Sequence, residues 1–147
     1  MNVPFTPLAD GFYVAPQITP ADVEKAKALG VRLIINNRPD GEETGQPENA
    51  DIEAAAKAAG IAYVEILVSG MNIGAAHLDA FDAALSENDG PVLAFCRSGT
   101  RSTVLRSFAR ARAGGSAEEI IREASAAGYN IAGQRGVLIA LGAREAD

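Results

Sequence analysis

The sequence predicts an α/β domain with a mainly parallel central sheet and helices on both faces. Three observations support this fold class. Short apolar runs alternate with segments of helical spacing along the whole chain. The apolar runs are rich in Val, Ile and Leu, which is typical of strands covered on both faces. Each strand, helix and following strand have the spacing of a parallel crossover. The length of 147 residues predicts a single domain over 1–147 that can bury a real core.

The predicted elements follow one another in a regular order. The predicted strands are GFYVAPQI, VRLIINN, IAYVEILV and GPVLAF. The predicted helices are TPADVEKAKALG, PENADIEAAAKAAG, AAHLDAFDAALSEN, the segment from Ser102 to about Ala113, a helix capped by Ser116, and a short tail around Val137 to Leu141.

Local signals mark the ends and the buried faces of these helices. Thr19 is expected to be the N-cap of the first helix, with Pro20 at its first position and Gly30 as its terminator. Helical spacing assigns buried positions to Val23, Ala26 and Leu29, to Leu78, Phe81 and Leu85, and to Val104, Leu105 and Phe108. The outer face of the fourth helix is expected to be solvated through Arg106, Arg110 and Arg112.

Composition and charge exclude several classes of function. The chain carries a net charge of −6, so a basic face for nucleic acid is not expected. No apolar run approaches the length of a membrane span, and the first residues lack a signal-peptide pattern. With a single cysteine, these features favour a cytoplasmic protein. One cysteine and one histidine cannot form a zinc-type ligand cluster, so neither a metal nor a cofactor is expected.

Two polar loops stand out because both follow predicted strands. NNRPDGEE follows the second strand and CRSGTRS follows the fourth. The carboxyl ends of parallel strands share one edge of the sheet, where sites of α/β proteins form. We therefore expect these two loops to contribute to one site.

The only cysteine, Cys96, lies between a predicted strand and a predicted helix. A loop that enters a helix presents unpaired N–H groups and the positive end of the helix dipole, which bind anions. The same surroundings stabilise a thiolate and make it nucleophilic. Gly99 permits a tight turn, and Arg101 presents a planar fork that matches an oxyanion. The loop is therefore interpreted as an anion cradle around a nucleophile.

The residues of this candidate site take different predicted roles. Cys96, Arg101 and Ser102 are the predicted catalytic residues, with the Ser102 hydroxyl donating to the sulfur. The predicted substrate-binding residues are Arg97, Ser98, Gly99, Thr100, Arg38 and Asp40.

Plainer interpretations stand beside these roles. A lone cysteine at a strand end is commonly a small buried hydrophobe, but two arginines in the same loop favour an anion site. Asp40, Glu42 and Glu43 either supply an acid or belong to a solvated loop. Asn36 and Asn37 are expected to satisfy turn hydrogen bonds, and His77 to be an ordinary surface or half-buried histidine.

The loop resembles two known active-site loops. CRSGTRS is similar to the six-residue loop of rhodanese-type sulfurtransferases, bracketed by a cysteine and an arginine. It also resembles a shortened cysteine-phosphatase loop, whose pattern is cysteine, five residues, arginine. The order of LIINNRPDGEE, GIAYVEILV and GPVLAFCRSGTRS resembles the phosphatase-like domain of beta-lactamase-hydrolase-like proteins, from about Phe5 to Gly142. That resemblance implies a dual-specificity-phosphatase fold and, as a partner, a metallo-hydrolase domain linked to sulfide metabolism.

The sequence departs from both families. Phe95 stands where the ordinary phosphatase has a histidine, the loop is one residue short, and LVSGMNIG holds no carboxylate where that family has its acid. The rhodanese N-terminal acidic motif is also missing. Sulfur transfer needs no general acid, so these departures favour a sulfurtransferase that forms a Cys96 persulfide. Its partners would be a small anionic substrate and a thiol acceptor.

Two alternatives remain open. One is a phosphatase of the protein-tyrosine or dual-specificity type, which forms a phosphocysteine. The other is a non-catalytic domain that binds anions or a partner protein.

Overall fold

The computed structural model describes residues 4–145 and places five strands in one sheet. The strands are β1 (Thr6–Ala9), β2 (Phe12–Ala15), β3 (Leu33–Asn36), β4 (Ala62–Glu65) and β5 (Val92–Phe95). Their order across the sheet is β1-β2-β5-β3-β4. β2, β5, β3 and β4 are parallel, and β1 pairs antiparallel with β2. The prediction of a mainly parallel sheet is therefore confirmed.

The edge strand β1 was not predicted. It is joined to β2 by a tight turn in which Gly11 has a φ of +74°, and it contains Pro7. A proline lacks the N–H of a ladder hydrogen bond, so within sheets it is confined to edges, strand starts and bulges. The proline and the short length hide this strand from a search for apolar runs.

Six α-helices connect and follow the strands within the described residues. They are α1 (Pro20–Ala28), α2 (Asn49–Ala58), α3 (Ala75–Ser86), α4 (Thr100–Arg112), α5 (Ala117–Ala126) and α6 (Arg135–Leu141), with a 3₁₀ turn at Ala132–Gln134. Thr19 is the N-cap of α1 as predicted, and its N–H donates to the Asp22 carboxylate at 2.8 Å. No helix among residues 4–145 is long and apolar enough to cross a bilayer.

The sheet separates two hydrophobic layers. Successive residues of β3 alternate between them: Leu33 and Ile35 face one layer, and Ile34 faces the other. The helices α1 and α2 cover the second layer, whereas α3, α4, α5 and α6 cover the first. Burial of each of these aliphatic side chains contributes about 1.5–3 kcal/mol to the free energy of folding. The sheet is therefore covered by helices on both faces, as predicted.

Two predictions about helix faces were wrong. Leu29 is 44% exposed, because it is the C-cap of α1 and lies beyond the last buried turn. The arginines of α4 do not form a freely solvated face. Arg106 and Arg110 pair with Glu123 on α5, and Arg106 also lies over the Phe12 ring.

Candidate active site

The carboxyl ends of the parallel strands meet at one edge of the sheet, and the loops that leave them form the candidate site. The loop after β5 begins with Cys96, and backbone hydrogen bonds join it to its neighbours. The N–H of Gln17, after β2, donates to the Arg97 carbonyl at 3.2 Å. The N–H of Val68, after β4, donates to the carbonyl of Asn37, after β3, at 3.0 Å. The two polar loops predicted to meet do meet here, because Arg101 of the loop after β5 donates to Glu42 of the loop after β3 at 2.7 Å.

Cys96 lies at the junction of β5 and α4 with only 1% of its surface exposed. Its Sγ accepts a hydrogen bond from the N–H of Gly99 at 3.1 Å. Gly99 is the N-cap of α4 with a φ of +96°, and its carbonyl accepts from the Thr103 hydroxyl at 2.9 Å. α4 is 13 residues long, and the positive end of its dipole stabilises an anion near the sulfur. The helix starts before the predicted Ser102 because Gly99 completes the turn.

Arg101 is held beside this loop by two other loops. Its Nη1 and Nη2 donate to the two carboxylate oxygens of Glu42 at 2.8 and 2.7 Å, and Nη1 also donates to the Val68 carbonyl at 2.7 Å. The hydrogen bonds that Arg101 donates to Glu42 raise the pKa of Arg101, and its charge interaction with Cys96 raises it further.

Some N–H groups of the Arg101 guanidinium are left to bind a ligand. A guanidinium has five N–H donors, and oxygen atoms of Glu42 and Val68 accept from three of them. The Nε–H and one N–H of Nη2 are not taken by these oxygens, and these two are adjacent and parallel in a guanidinium. Arg101 also hydrogen-bonds the Cys96 side chain, so the fork lies beside the sulfur. Arg101 therefore retains a two-point fork for an oxyanion while Glu42 holds its opposite side.

Glu42 and Glu43 lie in the loop after β3 and pair with arginines. The carboxylate of Glu42 accepts from Arg101 and, through Oε1, from Nε of Arg38 at 2.9 Å. Arg101 first, and Arg38 next, lower the pKa of Glu42 to about 2. Hydrogen bonding from Arg38, together with the charge of Arg97, lowers the pKa of Glu43. Both carboxylates are therefore ionised at neutral pH and unsuited to donating a proton.

Arg38 anchors this loop from the protein interior. Its side chain is only 1% exposed, and its three guanidinium nitrogens donate to Glu42, Glu43 and Gln17. Each of its guanidinium nitrogens is therefore already engaged by an acceptor within the protein. The structure therefore gives Arg38 a supporting position rather than the predicted contact with substrate.

Ser102 does not take the predicted position toward the sulfur. Its hydroxyl is fully buried and donates to Oδ1 of Asn37 at 2.7 Å. Asn37 in turn donates through Nδ2 to the Ile66 carbonyl at 2.8 Å. Asn37 therefore connects the loops after β3 and β4 to α4, which is more than the predicted turn hydrogen bond.

Asp40 also lies apart from the cavity. Its Oδ1 accepts from the N–H of Asn49, the first residue of α2, at 2.8 Å. The carboxylate thus satisfies one of the unpaired donors at the start of that helix. Asp40 therefore has a structural role at the start of α2 instead of the predicted contact with substrate.

A cavity of about 500 Å³ opens beside the Cys96 loop. Its lining residues are Glu42, Gly70, Met71, Arg97, Ser98, Thr100 and Arg101. The side chain of Arg97 is 67% exposed, and the Ser98 hydroxyl donates to Oγ1 of Thr100 at 3.0 Å. Four of the predicted loop residues, Arg97, Ser98, Thr100 and Arg101, therefore face a common space.

Tyr129 and His77 support the loops, and the sequence analysis assigned a site role to neither. The Tyr129 hydroxyl donates to the Ser98 carbonyl at 3.0 Å. Burial and the charge of Cys96 raise the pKa of Tyr129. His77 accepts from the N–H of Gly74 and contacts the Leu67 carbonyl, which closes the loop after β4. A tyrosine directly after a helix-ending glycine was the available signal, but its reach to the Cys96 loop depends on tertiary packing.

The arrangement suits nucleophilic attack on a bound oxyanion. A thiol at a helix N-terminus is the kind of group that can act as a nucleophile, and a guanidinium with two parallel donors is suited to contact an oxyanion. Among residues 4–145, His, Cys, Asp and Glu side chains do not gather into groups of three or more that could hold a metal ion.

Comparisons with known proteins agree on the family. The family model of the phosphatase-like domain of beta-lactamase hydrolase-like proteins matches residues 4–113. A beta-lactamase hydrolase-like protein of Agrobacterium fabrum is 47% identical over 92 residues, which are 63% of this chain and 21% of that relative. This chain therefore spans only a small part of that relative's length.

Solved structures show the same fold. The crystal structure of a candidate phosphatase from Neisseria meningitidis has a TM-score of 0.84 and 38% identity, covering 93% of this chain and 97% of that chain. Kinase associated phosphatase, solved with its catalytic-site cysteine replaced by serine, has a TM-score of 0.73 at 15% identity, over 93% of this chain and 91% of that chain. The resemblance predicted from the sequence is confirmed. This chain belongs to the phosphatase-like domain family of beta-lactamase hydrolase-like proteins, on the α/β fold of the cysteine phosphatases.

Proposed function

We propose that this domain is a cysteine-dependent phosphatase that transfers a phosphoryl group through Cys96. The observation that carries the proposal is the position of the Cys96 sulfur at the start of α4, beside the two donors that remain on Arg101. The phosphatase-like family and fold support this order of preference. Sulfur transfer, which the sequence analysis favoured, becomes the second candidate.

In the proposed first step, the Cys96 thiolate attacks the phosphorus atom of the bound substrate. An S–P bond forms as the bond from phosphorus to the leaving oxygen breaks, and that oxygen takes the electron pair. Arg101 and the amides at the start of α4 bind the equatorial oxygens, where negative charge is concentrated.

In the second step, water attacks the phosphocysteine. The S–P bond breaks, the sulfur recovers its electron pair, and orthophosphate leaves with the water oxygen. One water proton passes to solvent, so the thiolate returns unchanged. The enzyme therefore ends the cycle in the same charge and protonation state in which it began.

Sulfane-sulfur transfer remains the second candidate because one observation favours it. Cys96 and Arg101 bracket a six-residue loop, and the pKa values of Glu42 and Glu43 are lowered rather than raised. A persulfide mechanism requires no general acid.

Intact-protein mass spectrometry after acid quench tests the two candidates. The protein is mixed separately with 4-nitrophenyl phosphate and with thiosulfate, and Cys96→Ser is the control. We expect the mass of a phosphoryl group on the wild type during turnover, and neither this adduct nor phosphate release in the variant. A sulfur adduct from thiosulfate without phosphate turnover would establish the second candidate instead. If neither adduct forms, the result would favour the non-catalytic alternative.

The two loop arginines offer a matched pair of substitutions. We expect Arg101→Lys to lower kcat/KM for 4-nitrophenyl phosphate by about 10²-fold or more, because lysine cannot present two parallel donors. Arg97→Lys should lower it by less than about tenfold, because that side chain lies at the exposed rim. Equal losses would mean that Arg101 does not hold the transferred group.

A further inference from the structure

Among residues 4–145, the carboxylates near the candidate site are poorly suited to donating a proton to a leaving group. Glu42 lines the cavity, but its pKa of about 2 keeps it ionised. Glu43 beside it has a lowered pKa as well, and Asp40 is bonded to the start of α2. A carboxylate cannot donate a proton, and general acids typically contribute 10²–10⁴-fold. Such a site favours leaving groups that are stable as anions.

Arg97 supplies a positive charge to the lining of the cavity beside the Cys96 loop. Its backbone is fixed by the hydrogen bond from Gln17 to its carbonyl, whereas its side chain is 67% exposed. The nearest carboxylate oxygen, Oε2 of Glu43, lies 3.6 Å from Nη2. That distance is too long for a hydrogen bond, so the pair is loose enough for an anion to replace it. Ser98 and Thr100 add two exposed hydroxyl groups to the same wall.

The size of the cavity leaves room for more than the transferred group. Its volume of about 500 Å³ lies within the range of about 300–1,000 Å³ typical of pockets that hold whole small molecules. Arg97, Ser98 and Thr100 form one polar part of a lining that also includes Met71 and Glu42, and this part presents a cation and two hydroxyl groups to a charged leaving group.

We infer that Arg97, with Ser98 and Thr100, forms a subsite for a phosphate leaving group, so that the substrates are phosphoanhydrides. The inference rests on the proposed phosphatase activity. The thiolate of Cys96 attacks the terminal phosphorus and forms an S–P bond. The P–O bond of the anhydride breaks, and the bridging oxygen leaves with the electron pair as part of the second phosphate. Water then releases the first phosphate, so one anhydride and one water give two phosphates.

A comparison of two substrates with leaving groups of similar basicity tests the subsite. Inorganic pyrophosphate releases a charged phosphate, whereas 4-nitrophenyl phosphate releases a weakly basic aromatic anion without a phosphate group. We compare kcat/KM for both in the wild type, Arg97→Gln and Arg122→Gln. Arg122 is exposed on α5 and outside the cavity lining, so the control makes the same change in net charge elsewhere.

We expect Arg97→Gln to lower the ratio of kcat/KM for pyrophosphate to that for 4-nitrophenyl phosphate at least tenfold, and Arg122→Gln to leave the ratio unchanged. Turnover of 4-nitrophenyl phosphate without turnover of pyrophosphate, or an equal loss on both substrates, would overturn the subsite alone. Failure to form phosphocysteine from either substrate would instead overturn the proposed phosphatase, and the subsite with it.

Discussion

Gly99 joins two constraints at the point where the Cys96 loop enters α4. Its φ of +96° lies in the left-handed region, and a Cβ built there would lie 2.1 Å from the Tyr129 hydroxyl oxygen. The same oxygen binds the carbonyl of the preceding residue, Ser98. The loop can therefore aim the Gly99 N–H at the sulfur and pack under Tyr129 only without a side chain at this position.

Gly99→Ala should therefore lower both stability and activity. The left-handed backbone costs alanine about 1–2 kcal/mol, and the overlap with Tyr129 adds about 1–3 kcal/mol. Gly114→Ala is the matched control, because Gly114 has a φ of +91° with no atom within 4 Å of the built Cβ. Urea denaturation measures both variants. Equal losses of unfolding free energy would show that the Tyr129 side chain moves away from the added methyl group without an energetic cost.

At the residue scale, the sequence predicted the groups whose chemistry is local. Arg101 and the loop around Cys96 could be recognised because a strand, a glycine and a helix follow one another directly. The partners of Ser102 and Asp40 could not be recognised in this way. The Ser102 hydroxyl has three staggered rotamers available, and its hydrogen bond to Asn37, which is distant in sequence, fixes the one it takes.

The loop between β3 and α2 is the element that brings carboxylates to the site. Glu42 receives hydrogen bonds from both Arg38 and Arg101, so it couples the buried Arg38 to the Cys96 loop. Because the folded state lowers the pKa of Glu42 to about 2, its ion pairs stabilise the fold fully above the unfolded value of about 4.3. This contribution decreases as the pH falls from about 4.5 to 2.

Glu42→Gln should cost roughly 1–2 kcal/mol of unfolding free energy at pH 7, allowing for solvent at a partly exposed carboxylate. Glu43→Gln should lower the unfolding free energy by less, because Glu43 is 47% exposed and Arg38 retains its ion pair with Glu42 in that variant. Denaturant titrations from pH 7 to pH 2 should show the difference between wild type and Glu42→Gln shrinking below about pH 4.5. A difference that stays constant over that range would contradict the ionised role of Glu42.

Element boundaries show what local sequence signals can predict. The first helix carries its cap, its proline and its terminating glycine in sequence, and its start was predicted correctly. The edge strand β1 lacks such signals, because pairing with β2 rather than its own composition defines it. α6 begins at Arg135, before the predicted Val137, since a 3₁₀ turn leads into it.

At the scale of the whole molecule, the central strand β5 connects both hydrophobic layers. Leu93 and Phe95 face the layer under α1 and α2, whereas Val92 and Ala94 face the opposite layer. The alternation of strands and helices was sufficient to predict a parallel sheet. It could not predict that β5 lies between β2 and β3, because that order depends on contacts between distant segments.

Leu93→Ala should cost about 2–5 kcal/mol of unfolding free energy, because Leu93 is fully buried and its truncation leaves a cavity. Leu67→Ala is the matched control at a position that is 39% exposed, and its cost should be well below that of Leu93→Ala. Guanidinium denaturation at constant pH measures both. A small loss for Leu93→Ala would indicate that the layers collapse to fill the space.

The strand order β1-β2-β5-β3-β4 also bears on how the protein is made. A ribosome delivers the pair β1 and β2 first and the pair β3 and β4 later, and neither pair adjoins the other in the finished sheet. Only β5 joins them, and Cys96 follows it immediately. Domains fold as units during synthesis, so this sheet cannot close until β5 has been made, and the facing edges of β2 and β3 stay unpaired until then. A chain that stalls before β5 therefore keeps two unpaired strand edges, which favour aggregation.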